Sequence, residues 1–252
     1  MARVLAVANQ KGGVAKTTTV HALGAALAEL GGRVLLVDLD PQACLTYSVG
    51  LDPEGLSLSL HDVLIGRNKA DEVAITLDAL TVLPASIDLA GSEVHLLTRT
   101  GREHALARAL EPLKERFDTV LIDCPPSLGI LTINGLTAAD EVIVPLQCET
   151  LSHRGVGQLL ETVGDVRAFT RPDLQVRGIV ATMVDGRTRH AREVLTDVQQ
   201  RYGLEVLEPV VPKSIRFAEA PAYGRSILEH APTSPGAAAY RALAQVLQAD
   251  RP

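Results

Sequence analysis

Within eight positions, Lys11-Gly12-Gly13-Val14-Ala15-Lys16-Thr17-Thr18 brings together two ammonium groups, two consecutive glycines and two hydroxyls. Successive backbone N–H groups in a glycine-rich turn form an anion nest, and a following helix adds the partial positive charge of its N-terminus. Gly12 and Gly13 let the chain curl against phosphate oxygens without a Cβ in the way. In this arrangement Lys16 reaches the β- and γ-phosphates, Thr17 offers a hydroxyl to Mg²⁺ and Thr18 serves the α-phosphate. Val14 and Ala15 complete the turn. The spacing departs from G-x-x-x-x-G-K at both glycines, which are Gln10 and Ala15 here. Alanine resists positive φ, so position 15 is expected in an ordinary right-handed conformation that preserves the nest.

Carboxylates at strand ends supply the complementary chemistry. Val34-Leu35-Leu36-Val37-Asp38-Leu39-Asp40 and Leu121-Ile122-Asp123 each end an apolar run on acids. Open α/β sheets bind ligands beyond such ends. One carboxylate there can hold Mg²⁺ and another can orient a water. Asp38 and Asp40 alternate along the strand, so only one is expected to face a γ-phosphate. Taken singly, each aspartate could equally cap a helix or open a turn.

The elements that must position these groups are legible as short apolar runs alternating with helical periodicity. Val4–Ala8, Val34–Val37, Leu80–Leu83, Thr119–Ile122, Glu141–Pro145 and Arg177–Thr182 read as buried strands, with a further short one near Leu204–Val210. Val20, Leu23, Leu27 and Leu30 recur at helical spacing before Gly31-Gly32. Similar spacing marks helices around Val156–Val166, Ala191–Val198 and Tyr240–Leu247. The alternation predicts an α/β fold, a doubly wound and mostly parallel sheet flanked by helices, as one domain over residues 1–252.

The chain of 252 residues carries a net charge of −6, so it is not a general polyanion binder, and any nucleic-acid contact must come from a local patch. Cys44, Cys124 and Cys148 are scattered without a C-x-x-C pair, which argues against zinc, disulfide and iron–sulfur frameworks. No run is long enough to span a membrane, and Met1-Ala2-Arg3 enters a strand directly, so no leader is expected.

These residues resemble the ParA/Soj family of partition ATPases, within the deviant Walker A superfamily that includes MinD. The likeness rests on Ala8-Asn9-Gln10-Lys11-Gly12-Gly13, Asp38-Leu39-Asp40-Pro41-Gln42, Asp123-Cys124-Pro125-Pro126-Ser127, Val144-Pro145-Leu146-Gln147-Cys148-Glu149, Thr182-Met183-Val184-Asp185-Gly186-Arg187-Thr188 and Phe217-Ala218-Glu219-Ala220-Pro221. The resemblance implies a slow ATPase with ATP and Mg²⁺ as cofactors. Lys11 would be the signature lysine crossing to the nucleotide of a partner subunit, and with Lys16 and Asp40 it would form the catalytic set. Thr17, Asp123 and Asp38 would serve the metal, and Met183 and Pro212 the adenine pocket. DNA contacts would fall at Arg187 and Arg216, with Arg189 and Lys213 beside them. The implied partners are a second copy in the ATP state, nonspecific double-stranded DNA and a ParB-like centromere-binding protein, with no membrane. The implied location is cytoplasmic and nucleoid-associated. The competing readings are a MinD-like membrane-associated regulator, a non-hydrolysing nucleotide-gated scaffold and an iron–sulfur reductase. The first needs a basic amphipathic C-terminal helix, which the alanine-rich segment Tyr240–Pro252 does not resemble.

Overall fold

The computed structural model describes residues 2–148, 152–185 and 189–249. Of 152–154 and 189–192 it describes the backbone alone. Among the described residues eight strands form one sheet: β1 (Arg3–Val7), β2 (Val34–Asp38), β3 (Ile75–Thr76), β4 (Thr81–Leu83), β5 (Thr119–Asp123), β6 (Glu141–Gln147), β7 (Gln175–Thr182) and β8 (Val206–Leu207). Their order is β3-β4-β2-β5-β1-β6-β7-β8. Every pairing is parallel except β3 with β4. Central strands of this kind are covered on both faces, which is why they appear in the sequence as unbroken apolar runs. β2 and β5 are buried at every position. Seven strands lie where the sequence places them; the two-residue β3 is too short to carry a periodic signal.

One face packs against α1 (Lys16–Glu29) and the C-terminal helix Pro235–Ala249, through Leu23, Leu27, Leu36, Tyr240 and Leu243. α1 lies close on the sheet at Gly24, where an added Cβ would sit 2.6 Å from Leu36 Cδ2. The other face is covered by the helices Leu60–Leu64, Leu89–Leu97, Ala105–Leu110, Ile130–Ala138, Ser152–Phe169 and Arg189–Tyr202. Because the C-terminal helix buries Ala237, Tyr240, Leu243, Ala244 and Leu247, its apolar stripe is already in use within the core. Among the described residues no helix is long and apolar enough to cross a membrane.

Pro145 sits inside β6, where a missing N–H normally breaks a ladder. It is tolerated because β1 stops pairing at Ile143, and the Asn9 side chain takes over beyond it. Asn9 Nδ2 donates to the Pro145 carbonyl at 2.7 Å. Gly178 (φ 146°) stands beside a register shift between β6 and β7, and a Cβ there would lie 2.7 Å from the Glu205 carbonyl. Strand order brings the C-terminal ends of β2, β5 and β1 side by side.

Candidate nucleotide site

Beyond those strand ends lies a cavity of about 1050 Å³, large enough for a nucleotide. Its wall includes Gly12, Gly13, Lys16, Thr17, Thr18 and Asp40. The loop is fixed from three sides. Asn9 Oδ1 accepts the Lys11 N–H at 3.0 Å. Thr182 Oγ1, at the end of β7, donates to the Val14 carbonyl at 3.0 Å. The helix Ser152–Phe169 passes so near that a Cβ on Gly155 would lie 2.9 Å from Asn9 Oδ1. At Gly12 and Gly13 an added Cβ would meet nothing within 4 Å, so the crest of the loop faces open space.

Ala15 corrects the expectation drawn from its type. It has φ 68° and ψ 35°, a left-handed residue at the N-cap of α1. The nest geometry is kept, and alanine is forced into the conformation a glycine would supply. Ala43 (φ 52°) and Met183 (φ 52°) are likewise left-handed, and all three line the cavity. Such strain persists only where surrounding contacts over-determine the backbone. A left-handed alanine costs about 1–2 kcal/mol, whereas glycine gives back about 0.4–1 through the unfolded chain. Ala15→Gly is therefore expected to raise stability by roughly 0.5–1 kcal/mol, read as a higher midpoint in urea. A lower midpoint would show that the methyl group contributes more than the strain costs.

Lys16 is buried and its Nζ donates to the Lys11 carbonyl at 3.3 Å. Burial lowers its pKa, opposed by the charges of Asp123, Cys124 and Asp40. Thr17 Oγ1 donates to Asp123 Oδ2 at 2.6 Å. The other oxygen, Asp123 Oδ1, is buried with no hydrogen-bond partner. Asp38 and Asp123 occupy the same register on adjacent strands. Burial first and the neighbouring carboxylate second push Asp123 well above the ordinary carboxyl range. Burial likewise raises Asp38 to about 6, against hydrogen bonds from Thr46 and Asp40. Asp38 is turned into the chain. Its Oδ2 accepts Thr46 N–H at 2.8 Å and Thr46 Oγ1–H at 2.7 Å, and its Oδ1 accepts Asp40 N–H at 3.2 Å. Thr46 Oγ1 in turn accepts the Ala85 N–H at 2.8 Å, tying β2 to the end of β4. Asp40 lines the cavity, its Oδ1 accepting the Gln42 N–H at 2.9 Å.

A divalent cation fits this donor set. An orphaned carboxylate oxygen and an adjacent hydroxyl leave most of an octahedron to phosphate and water, as Mg²⁺ prefers. Among the described residues no cluster of three or more His, Cys, Asp or Glu could hold a metal alone, so the ion would arrive with the nucleotide.

The remaining expected site residues separate. Met183 lines the cavity, whereas Pro212 lies outside it and forms a β-bridge with Val184. Val14 contributes its carbonyl, and its side chain is core. Lys11 lies outside the lining of its own chain's cavity. Lys213 and Arg216 are exposed around the short helix Arg216–Glu219. Arg187 lies outside the described residues, and Arg189 opens a helix whose first side chains are not described.

Several cavity residues were not anticipated: His21, Tyr47, Ser48, Pro126, Phe217 and Arg225. Helical spacing from Thr17 and Thr18 places His21 on their face, a signal that was present in the sequence. His21 is buried, its Nδ1 3.3 Å from Ser48 Oγ, and burial lowers its pKa to about 4 against the opposing charge of Glu229. The folded chain refuses a proton that the unfolded chain accepts below about 6.5. Its contribution therefore makes stability fall as pH drops from 6.5 to 4, by at most roughly 3 kcal/mol. Asp38 has the opposite sign over nearly the same window, since its folded form keeps a proton that the unfolded chain loses. Replacing His21 with glutamine is expected to leave a stability profile that declines less toward pH 4, as measured by urea unfolding at several pH values. A profile unchanged by the substitution would mean His21 titrates normally in the fold.

A strand–glycine loop–helix unit at a parallel sheet, with Lys16, Thr17 and Asp40 lining one cavity and Asp123 bonded to Thr17 behind it, defines a P-loop nucleoside-triphosphate-binding protein. The profile of the AAA domain family AAA_31 matches residues 2–176. The sporulation initiation inhibitor protein Soj of Bacillus subtilis is 42% identical over 252 residues, covering 99% of this chain and 100% of that one. The chromosome partitioning protein ParA of Caulobacter vibrioides is 43% identical over 247 residues, covering 96% and 92%. A Mycobacterium smegmatis crystal structure with bound ADP and magnesium, titled cobyrinic acid a,c-diamide synthase, is 56% identical with a TM-score of 0.89, covering 98% and 94%. The chain belongs to the ParA/Soj family of P-loop ATPases.

Proposed function

We propose that the protein is an Mg²⁺-dependent ATPase of DNA partition, in which ATP joins two copies and the pair binds DNA without sequence preference. The observation that carries the reading is the division of the loop's two lysines. Lys16 is inside the cavity of its own chain, while Lys11 stands beyond its lining, where it would reach a nucleotide held by a facing copy. The loop N–H groups bind the phosphate chain, and Lys16 exchanges the Lys11 carbonyl for phosphate oxygens. When bound, Mg²⁺ neutralises charge building on the β- and γ-oxygens. Asp123 and Thr17 would hold it, while Asp38 keeps Asp40 in place through the Asp40 N–H. Asp40 accepts a hydrogen bond from the attacking water and orients it. Lys11, supplied in trans, stabilises the transferring group.

Pairing sets two copies of each weak basic segment, the one with Lys213 and Arg216 and the one with Arg187 and Arg189, on one duplex, and multiplies avidity. The contacts are to phosphates and salt-sensitive. A ParB-like partner would stimulate hydrolysis and release the pair. This reading places the protein in the cytoplasm on the nucleoid. The core packing of the C-terminal helix supports it over a membrane-associated regulator. Arg216→Glu is expected to keep nucleotide affinity and to lower retention on a nonspecific duplex at least tenfold in a co-sedimentation assay. Undiminished retention would count against the patch.

The name of the M. smegmatis relative favours a second reading, ATP-driven amide synthesis. Release of ammonia from glutamine by a cysteine needs an activated thiolate. Here burial pushes all three thiols above their ordinary range, Cys148 to about 11, the reverse of activation. Stimulation of ATP turnover by cobyrinic acid with glutamine, and none by DNA, would favour that second reading.

A further inference from the structure

Arg216, the proposed DNA contact, is engaged within its own chain. Its Nη1 donates to Glu219 Oε2 at 2.9 Å, one turn along the helix Arg216–Glu219. The same oxygen lies 3.3 Å from His230 Nε2. Tyr223 stacks on that imidazole with centroids 5.2 Å apart. His230 first and Arg216 second hold the Glu219 carboxyl below its usual range. One short segment therefore carries a fastened carboxylate and the arginine it restrains.

The same segment forms a wall of the nucleotide cavity through Phe217, Ala220, Pro221, Arg225 and Ile227. Phe217 meets the Tyr240 ring edge-on at 6.0 Å, and it lies so close to the C-terminal helix that a Cβ on Gly236 would come within 2.6 Å of it. Tyr240 OH and Thr19 Oγ1 share a buried hydrogen bond of 2.9 Å. Thr19 is the residue after Thr18 in the loop's helix. A continuous run of contacts thus joins the phosphate loop to Arg216, through a helix whose two faces touch the cavity and the solvent.

We propose that Glu219 is a latch on Arg216: it holds the guanidinium away from DNA phosphates until occupation of the cavity by ATP displaces the Phe217–Arg225 wall and opens the pair. This rests on the DNA-binding reading above. An exposed ion pair is weak, which suits the role, because a small displacement suffices to break it. A ligand shifts such an equilibrium only through a difference in contacts between the two states, and the cavity wall supplies that difference.

Glu219→Gln removes the charge and keeps the shape of the side chain. Retention on a nonspecific duplex, measured without nucleotide and with ATP, distinguishes a latch from plain charge removal. The latch predicts a rise of about two- to fivefold in the nucleotide-free state, the upper range of one exposed ion pair, and no measurable rise with ATP. An equal rise in both states would show a merely electrostatic role and overturn the latch, as would no rise at all. If the unsubstituted protein shows no retention with or without ATP, the DNA-binding reading fails, and the latch fails with it.

Discussion

Lys11→Ala is expected to abolish the proposed ATP-dependent pairing and to lower turnover on the order of 10³-fold, the lower end of what a cation supplied in trans contributes to phosphoryl transfer. Light scattering with ATP and a phosphate-release assay check this expected outcome. The size of the effect follows from the placement of the residue. Asn9 fixes the Lys11 N–H at 3.0 Å, so the backbone is rigid at the point from which the side chain departs. Asn9 is itself buried and anchored to Pro145 across the gap where β1 ends. Rigid anchoring limits the reorganisation needed when charge develops at the facing nucleotide. Removing Lys16 as well would add little to the loss in turnover if both lysines serve one transition state, since residues acting as a unit are not additive. ATP affinity of the isolated chain should change little in the Lys11 variant, because the residue is outside its own cavity. Pairing and turnover that survive the substitution would remove the basis of the shared-nucleotide account.

Asp40→Ala is the second large effect. Turnover should fall about 10²–10⁴-fold, as expected when a group that handles the reacting proton or water is lost. Pairing should be retained and lengthened, since the nucleotide holding two copies together is no longer consumed. Size-exclusion chromatography would then show monomer with ADP, a minor dimer fraction with ATP, and a stable dimer with ATP and the variant. The structure assigns unequal consequences to the neighbouring acids. Asp38→Ala would strand the Thr46 and Asp40 donors it now satisfies, so that variant should lose stability as well as activity. Asp40→Ala gives up one bond to Gln42 N–H on a cavity-lining turn and should leave the unfolding midpoint near its original value. Loss of pairing in the Asp40 variant would mean that it acts in assembly and not in hydrolysis.

The pairing of Asp38 with Asp123 illustrates the limit of local reading. Each acid is visible as the end of an apolar run. Their adjacency depends on β2 and β5 being neighbours in register, which no spacing along the chain encodes. Burial raises both carboxyls, and the adjacency adds to the rise at Asp123, whose Oδ1 is left without a partner; of these three aspartates only Asp40 lines the cavity. Ala15 shows a related limit. Its type argues for a right-handed conformation, and the anchors at Asn9 and Thr182 override that preference.

The amino-acid sequence by itself determined the phosphate loop, seven of the eight strands and the acids at their ends, because apolar runs, glycine pairs and helical periodicity act over a few residues. Tertiary structure alone decided which carboxylate faces the cavity, that Ala15 is held left-handed, that His21 is buried neutral, and that Arg216 is tied to Glu219 beneath a cavity wall. Those outcomes depend on burial and on charges brought together across the sheet, and the free energies involved exist only once distant segments exclude water from one another.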